Sequence, residues 1–245
     1  MRKVILWVGV FLFFGTSSHG QEITLYTEDY KPFQYRNAEG ALTGFGVELV
    51  RQIFRDAGVT IHGGQIRMYP WARAYANVRE EKNSAVFMTV RTAKREQLFK
   101  WVGPLAPRKM WLYKLKKRTD IQLNRLADSL HYKIGGYNQS ADTNYMLELG
   151  FNVQIVPTQR HITKMLVKER FDLMSSLELT MADRLRDLGF DQSVVAKTIL
   201  LDDRYNYYLA VNPQTADVLV SRLQAALDQI RQSGRYEGLW NKYAQ

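Results

Sequence analysis

The sequence predicts an α/β fold made of two similar lobes. Two observations carry this reading. A strand–helix–strand–helix–strand rhythm runs over residues 22–90 and returns over residues 132–189. The chain, at 245 residues, is also long enough for one or two sizeable cores.

The first unit opens with the strand "EITLYT" (22–27). A loop rich in aromatics and glycine follows, "EDYKPFQYRNAEGALTGFG". In the helix "VELVRQIFRDAG", Val47, Val50, Phe54 and Ala57 fall on one stripe at helical spacing, and Gly58 suits the position just past the end. A strand is expected near 60–68, then a helix from Pro70, a residue favoured in a first turn. "SAVFMTV" (84–90) reads as the next strand, and Leu98 to Val102 as another. Three cations, Arg91, Lys94 and Arg95, lie between these two.

The second unit reads as strand "YKIGGY", helix "DTNYMLELG", strand "NVQIVP", helix "ITKMLVKER", strand "FDLMSSL" and helix "LTMADRLRDLG". Segment 105–118 sits between the two units, and "ILLDDRYNYYLAVN" (199–212) ends the second. The tail is helical: Leu219, Leu223, Leu227 and Ile230 form one stripe, Gly234 stops it, and "YEGLWNKY" adds a last short helix. Parallel sheets of this kind bind ligands in loops at the C-terminal ends of their strands. Those loops here are 28–45, 68–73, 91–95, 137–142 and 176–180.

The first twenty residues stand apart. "MRK" is a positive start, "VILWVGVFLFF" an apolar run of eleven, and Ser18 and Gly20 are small residues placed for a cut before Gln21. This is the pattern of a secretory signal peptide (1–20), with an uncleaved anchor as the alternative. The apolar run is short for a bilayer span. Export to the periplasm or the outside medium is the expectation. The chain has no cysteine, which excludes disulfides, thiolate nucleophiles, thiolate metal ligands and a lipid-bearing cysteine. The formal charge of +10 falls to +8 once Arg2 and Lys3 leave with the signal. The cations alternate with Asp and Glu along the chain, and only "KLKKR" (114–118) is dense; it reads as a solvated loop or edge strand. Nucleic acid is not an expected partner. His62, His131 and His161 have no metal-ligand spacing, so neither metal nor cofactor is expected.

Several stretches in order resemble the family-3 periplasmic solute-binding proteins, the receptors of polar amino-acid importers. "LYTEDYKPFQYRNAEGALTGFGVELVRQIFRDAG" carries that family's opening strand, Pro-Phe loop, G-x-x-x-G-F turn and first helix. "RTAKREQLFKWVGPL" carries its T-x-x-R unit and Phe-containing strand. "GYNQSADT", "ERFDLMSSLE" and "LQAALDQIRQSGRYEGLWNKY" fall where its second-lobe loop, Asp-strand segment and C-terminal helix belong. "YPWARAYANV" and "FKWVGPL" mark a less typical branch. The resemblance implies lobe 1 at 21–107 plus 200–245, lobe 2 at 108–199, a two-segment hinge, and a ligand held in the cleft as the hinge closes.

The resemblance also ranks residues. Arg95 matches the arginine that grips a ligand carboxylate, a task suited to the planar guanidinium fork. Arg91 and Arg73 are further cations at the same mouth. Tyr30 matches an aromatic that covers the ligand, and Trp71 lies at a helix start beside it. Glu28 could meet an ammonium group. Ser140 or Asp142 could cap the helix that opens after "YNQ", leaving N–H groups near an anion. Three positions depart from the pattern: Met88 and Val90 replace small hydroxyl residues, and Leu177 stands where an Asp takes the α-amino group, with Glu178 next to it. The ligand implied is a small polar, carboxylated molecule, an amino acid or a relative of one, and these departures leave both open.

The function implied is a non-enzymatic, monomeric receptor that delivers a small polar solute to the membrane permease of an ABC-type importer. Two alternatives stay open. One is an enzyme on the same fold, such as a dehydratase, for which Glu28 and Glu178 are the acid pair to consider. The other is a periplasmic partner of a signalling receptor.

Overall fold

A computed structural model describes residues 22–243; the signal-peptide reading of 1–20 lies outside the described residues. Lobe 1 begins with β1 (Glu22–Thr27), a small hairpin of β2 (Tyr35–Arg36) and β3 (Leu42–Thr43), α1 (Phe45–Asp56), β4 (Thr60–Met68), α2 (Trp71–Glu80), β5 (Ser84–Val90) and β6 (Lys100–Ala106). Next come β7 (Met110–Leu115), β8 (Lys133–Tyr137), α3 (Ala141–Glu148), β9 (Asn152–Val156), α4 (Gln159–Val167), β10 (Leu173–Leu177), α5 (Glu178–Arg186) and β11 (Val195–Asp202). The chain then returns through β12 (Tyr207–Val211), α6 (Asp217–Gln232) and α7 (Arg235–Tyr243).

The strands form two five-stranded sheets, ordered β4-β1-β5-β12-β6 and β11-β7-β10-β8-β9. This is the two-lobe α/β architecture expected. The sheets are mixed rather than mostly parallel. In each, three parallel strands come from the local β-α-β unit, and the segments flanking the crossings add two more, each paired antiparallel with its neighbour, so that only β12 and β7 run against the rest. The chain crosses between sheets at 107–109 and 203–206. β11 stays in the second sheet to Asp202, because Leu200 and Asp202 still pair with Trp111 and Met110 of β7. The return crossing thus follows Asp202.

Both helical stripes read from the sequence are buried: Val47, Val50, Phe54 and Ala57 of the first helix, and Leu219, Leu223, Leu227 and Ile230 of α6. The two helices pack on each other and on the first sheet. Each fully buried Leu or Ile there contributes about 1.5–3 kcal/mol of transfer free energy. Gly44 precedes α1 with φ 117°, and a Cβ there would lie 2.5 Å from the Phe33 carbonyl oxygen. Only glycine allows the chain to enter α1 this close to the Pro-Phe loop.

The segment between β5 and β6 differs from the sequence reading. Ala93–Leu98 forms a 3-10 helix and the strand starts at Lys100, so Arg95 sits within a 3-10 turn and not in a plain loop. "KLKKR" is only partly the solvated segment read from the sequence: Lys114 and the buried Leu115 end β7, an internal strand of its sheet, and the exposed turn begins at Lys116. Lys117 pairs with Glu169, and Arg118 with Asp120 and Asp172.

Gly135 of β8 gives a test of the second lobe. A Cβ there would lie 2.5 Å from the buried Phe171 ring and 2.8 Å from Ile162. Gly135→Ala should overpack the sheet–α4 contact and cost about 1–3 kcal/mol. Urea unfolding checks this, and an unchanged midpoint would contradict the packing described.

Candidate functional site

The strand-end loops of the two lobes meet at one place. From lobe 1 come Glu28 and Tyr30 after β1, Trp71 at the start of α2, and Met88, Val90 and Arg95 from β5 and the turn beyond it. From lobe 2 come Tyr137, Ser140 and Asp142 at the β8–α3 junction. The cavity between them is only about 20 Å³, room for roughly one water. It widens on both sides, into a groove of about 280 Å³ beyond Glu28 and Trp71 and one of about 430 Å³ beyond Arg95.

Arg95 is the centre of this closure. The 3-10 turn holds its backbone, and its side chain points inward with 6 % of the residue exposed. Nη1 donates to the Val90 carbonyl at 3.2 Å and Nη2 to the Gln139 carbonyl at 2.7 Å. Trp71 Nε1 donates to the same Gln139 oxygen at 3.0 Å. The guanidinium also lies 5.5 Å from the Trp71 ring and 5.1 Å from the Tyr75 ring. Every partner is neutral; no carboxylate pairs with Arg95 among the described residues. Burial pulls its pKa below the ordinary arginine value. Its charge is still kept, since guanidinium does not deprotonate at biological pH.

The opposite end is acidic and aromatic. Glu28 is half-buried, and its desolvation raises the carboxyl to about 8 in spite of Arg184 and Arg95 nearby. Arg184 of α5 lies 5.1 Å from the Tyr30 ring, and the Tyr30 hydroxyl meets that of Tyr207 at 3.2 Å. Gln159 Nε2 donates to the Tyr137 hydroxyl at 2.6 Å. Burial, with the Glu28 carboxyl beside it, pushes Tyr137 well above the usual tyrosine value.

Behind the cavity, Arg108 ties the first crossing segment to α3 and to the return crossing. It pairs with Asp142 in the first turn of α3 and, at 2.8 Å, with Asp202 on the return crossing. Its side chain is 1 % exposed. Burial alone would raise Asp202, but bonds from Arg204 and Arg108 hold it below the usual aspartate value.

The eight sequence candidates divide. Arg95, Trp71, Tyr30, Glu28 and Ser140 come together around the cavity. Ser140 is the N-cap of α3: it accepts from the Thr143 N–H at 3.0 Å and donates to Thr143 Oγ1 at 2.8 Å, so its own hydroxyl is spent. Arg91 turns away, bonded to Glu96 at 2.8 and 2.5 Å and lying over Trp101 and Tyr208. Arg73 is exposed over Tyr69. Glu178 is exposed and bonded to Lys197, on a different face from Glu28, so the two do not line one cavity. Leu177 joins Glu178 there. Met88 does reach the cavity. It has φ 55° in a bulge where β5 and β12 slip register, and the Thr89 hydroxyl closes this bulge on the Val86 carbonyl. Arg108, Asp142, Tyr137 and Arg184 take part without having been singled out as ligand contacts. For Arg108 the only sequence signal was its place in a crossing segment.

The profile of bacterial extracellular solute-binding proteins, family 3, matches residues 23–245. No curated protein gives a significant match. Among solved structures, a histidine kinase sensor domain with similarity to periplasmic binding proteins superposes with TM-score 0.81 at 17 % identity, covering 91 % of this chain and 96 % of that one. The substrate-binding protein of an amino-acid ABC transporter gives 0.77 at 14 % identity, covering 91 % and 98 %. An arginine-specific periplasmic binding protein of Salmonella typhimurium gives 0.76 at 17 % identity, covering 92 % and 100 %. At these identities the likeness is one of fold. No helix among the described residues is long and apolar enough to cross a membrane.

Two predictions follow from the charges. Glu28 titrates near 4.5 when unfolded and at about 8 when folded, so the folded state holds the extra proton between those values. Its contribution to stability is therefore present at low pH and lost as pH rises toward 8. Thermal unfolding from pH 5 to 8.5 should show the wild type losing ground to Glu28→Gln as pH rises; parallel curves would contradict the burial of the carboxyl. Arg108→Leu strands the buried Asp142 carboxylate and should cost about 3–5 kcal/mol. Urea unfolding measures it, and a loss under 1 kcal/mol would mean the pair is replaceable by water.

Proposed function

Because the chain belongs to the family-3 bacterial extracellular solute-binding proteins, we propose that it is a periplasmic receptor whose interlobe cleft takes a small polar carboxylate. The observation that carries this reading is the buried Arg95 guanidinium with only neutral partners. A buried cation satisfied by carbonyl oxygens gains from a carboxylate that can take both terminal nitrogens at once. The ligand carboxylate would replace the Gln139 carbonyl as the lobes, 21–107 plus 200–245 and 108–199, open and close about the two crossings. Tyr30 and Trp71 would form the walls. Glu28 would meet an N–H donor at the far end, and would ionise if that donor were an ammonium. Free N–H groups at the start of α3 would lie near the anion.

The departures limit the ligand. Met88 and Val90 offer no hydroxyl beside Arg95, and Leu177 offers no carboxylate for an α-amino group. Carboxylates without that group fit the same grip. Delivery to the permease of an ABC-type importer is the working role, with a signal-peptide-directed periplasmic location. The likeness to a histidine kinase sensor domain supports a second reading, in which the closed form docks on a signalling receptor. An enzyme is the weaker case, because Glu28 and Glu178 face different cavities.

Thermal-shift screening of the mature protein against amino acids, small carboxylates and sugar acids tests the reading. A carboxylated solute should raise the wild-type melting temperature by mass action and leave Arg95→Ala unmoved. Equal shifts in the two proteins would remove Arg95 from the site. Turnover of a hit, seen by mass spectrometry, would favour an enzyme.

A further inference from the structure

The groove beyond Arg95 has a composition the small central cavity does not need. It runs between α2 and the 3-10 turn of lobe 1, α3 of lobe 2, and the return crossing. Its volume is about 430 Å³, within the ordinary range for small-ligand sites. Four cations line it, Arg79, Lys94, Arg95 and Arg204, against two carboxylates, Glu148 and Asp202. Lys94 pairs with Glu148 at 2.6 Å, which neutralises both. Asp202 is shared, taking Arg108 on one oxygen and Arg204 Nε on the other.

Three guanidinia thus face one groove with donors to spare. Arg95 has no carboxylate partner. Arg79 has no ion-pair partner among the described residues. Arg204 is fixed at Nε by Asp202 at 2.6 Å and lies 4.1 Å from the Tyr145 ring and 5.1 Å from the Tyr205 ring. Its terminal nitrogens donate to no protein acceptor among the described residues. Held in this way, it needs little reordering to receive an anion. Arg79 stands four residues after Tyr75 on α2, about 6 Å further along the same helix face. Tyr75 is the ring against Arg95, so α2 sets Arg79 one turn outward from the Arg95 grip.

We infer that the ligand is an elongated dianion, a dicarboxylate that places one carboxylate on Arg95 and the other in this groove, between Arg79 and Arg204. The inference rests on Arg95 as the carboxylate grip and adds a second anionic subsite on the opposite side from Glu28. It explains why the cleft can lack the α-amino partners: a second carboxylate, not an ammonium, is the other polar end. The tyrosines on the groove walls would cover the methylene chain between the two charges.

The test is calorimetric titration of the mature protein with α,ω-dicarboxylates from succinate to suberate and with the mono-methyl ester of each. The ester keeps length and shape and removes one charge. The expected result is one preferred chain length, with the diacid about tenfold tighter than its ester, and Arg79→Gln bringing the two within about threefold. Arg95→Ala should abolish binding of both. Diacid and ester binding equally to wild type, with both lost in Arg95→Ala, would overturn the second subsite and leave the Arg95 grip standing. A diacid preference that survives both Arg79→Gln and Arg204→Gln would place the second charge elsewhere and overturn the assignment of the groove. No binding by any member, diacid or ester, would overturn the inference and the carboxylate reading together.

Discussion

A guanidinium cannot discard its charge, so a protein that buries one must surround it with acceptors or an anion. Arg95 is nine-tenths buried and has only the Val90 and Gln139 carbonyls and two aromatic rings. Much of the local structure follows from this need. The 3-10 turn after β5 sets the approach of the side chain, Trp71 shares the Gln139 oxygen, and the β8–α3 junction brings that oxygen across from the other lobe. The closed arrangement is thus a solvation shell for one cation, supplied by both lobes.

The contacts that close the cleft are of two strengths. Lys31–Asp187 at 3.2 Å and Lys94–Glu148 at 2.6 Å tie the lobes at the surface. Exposed pairs of this kind contribute about 0–1 kcal/mol each and weaken with salt. Arg108, in contrast, is buried between Asp142 and Asp202 close to the crossings. That network is costly to break on one side only. The weak ties thus lie at the surface and the strong one beside the two crossing segments.

Much of the fold was legible because it depends on periodicity. The stripes of α1 and α6 and the paired β-α-β units could be read from spacing, and the interlobe position of Arg95 from its T-x-x-R setting. What was missed depends on contacts between residues distant in sequence. Arg91 and Arg95 look alike four residues apart, but Glu96 claims Arg91 and only Arg95 turns inward. Glu178 next to Leu177 looked like a substitute acid, yet the first turn of α5 hands it to Lys197. Arg108 showed no motif, and its value appears only once α3 and the return crossing deliver two carboxylates to it. Met88 was legible as a departure from the pattern, but its bulge was not, because every residue of β5 is buried and there was no alternation for the bulge to break.

The most direct measurement is a crystal structure of the mature protein with a carboxylate that stabilises it. Both oxygens of the ligand should lie about 3 Å from Arg95 guanidinium nitrogens, with the Gln139 carbonyl displaced from its bond to Nη2. A carboxylate bound elsewhere, with the Arg95–Gln139 bond intact, would contradict the central claim.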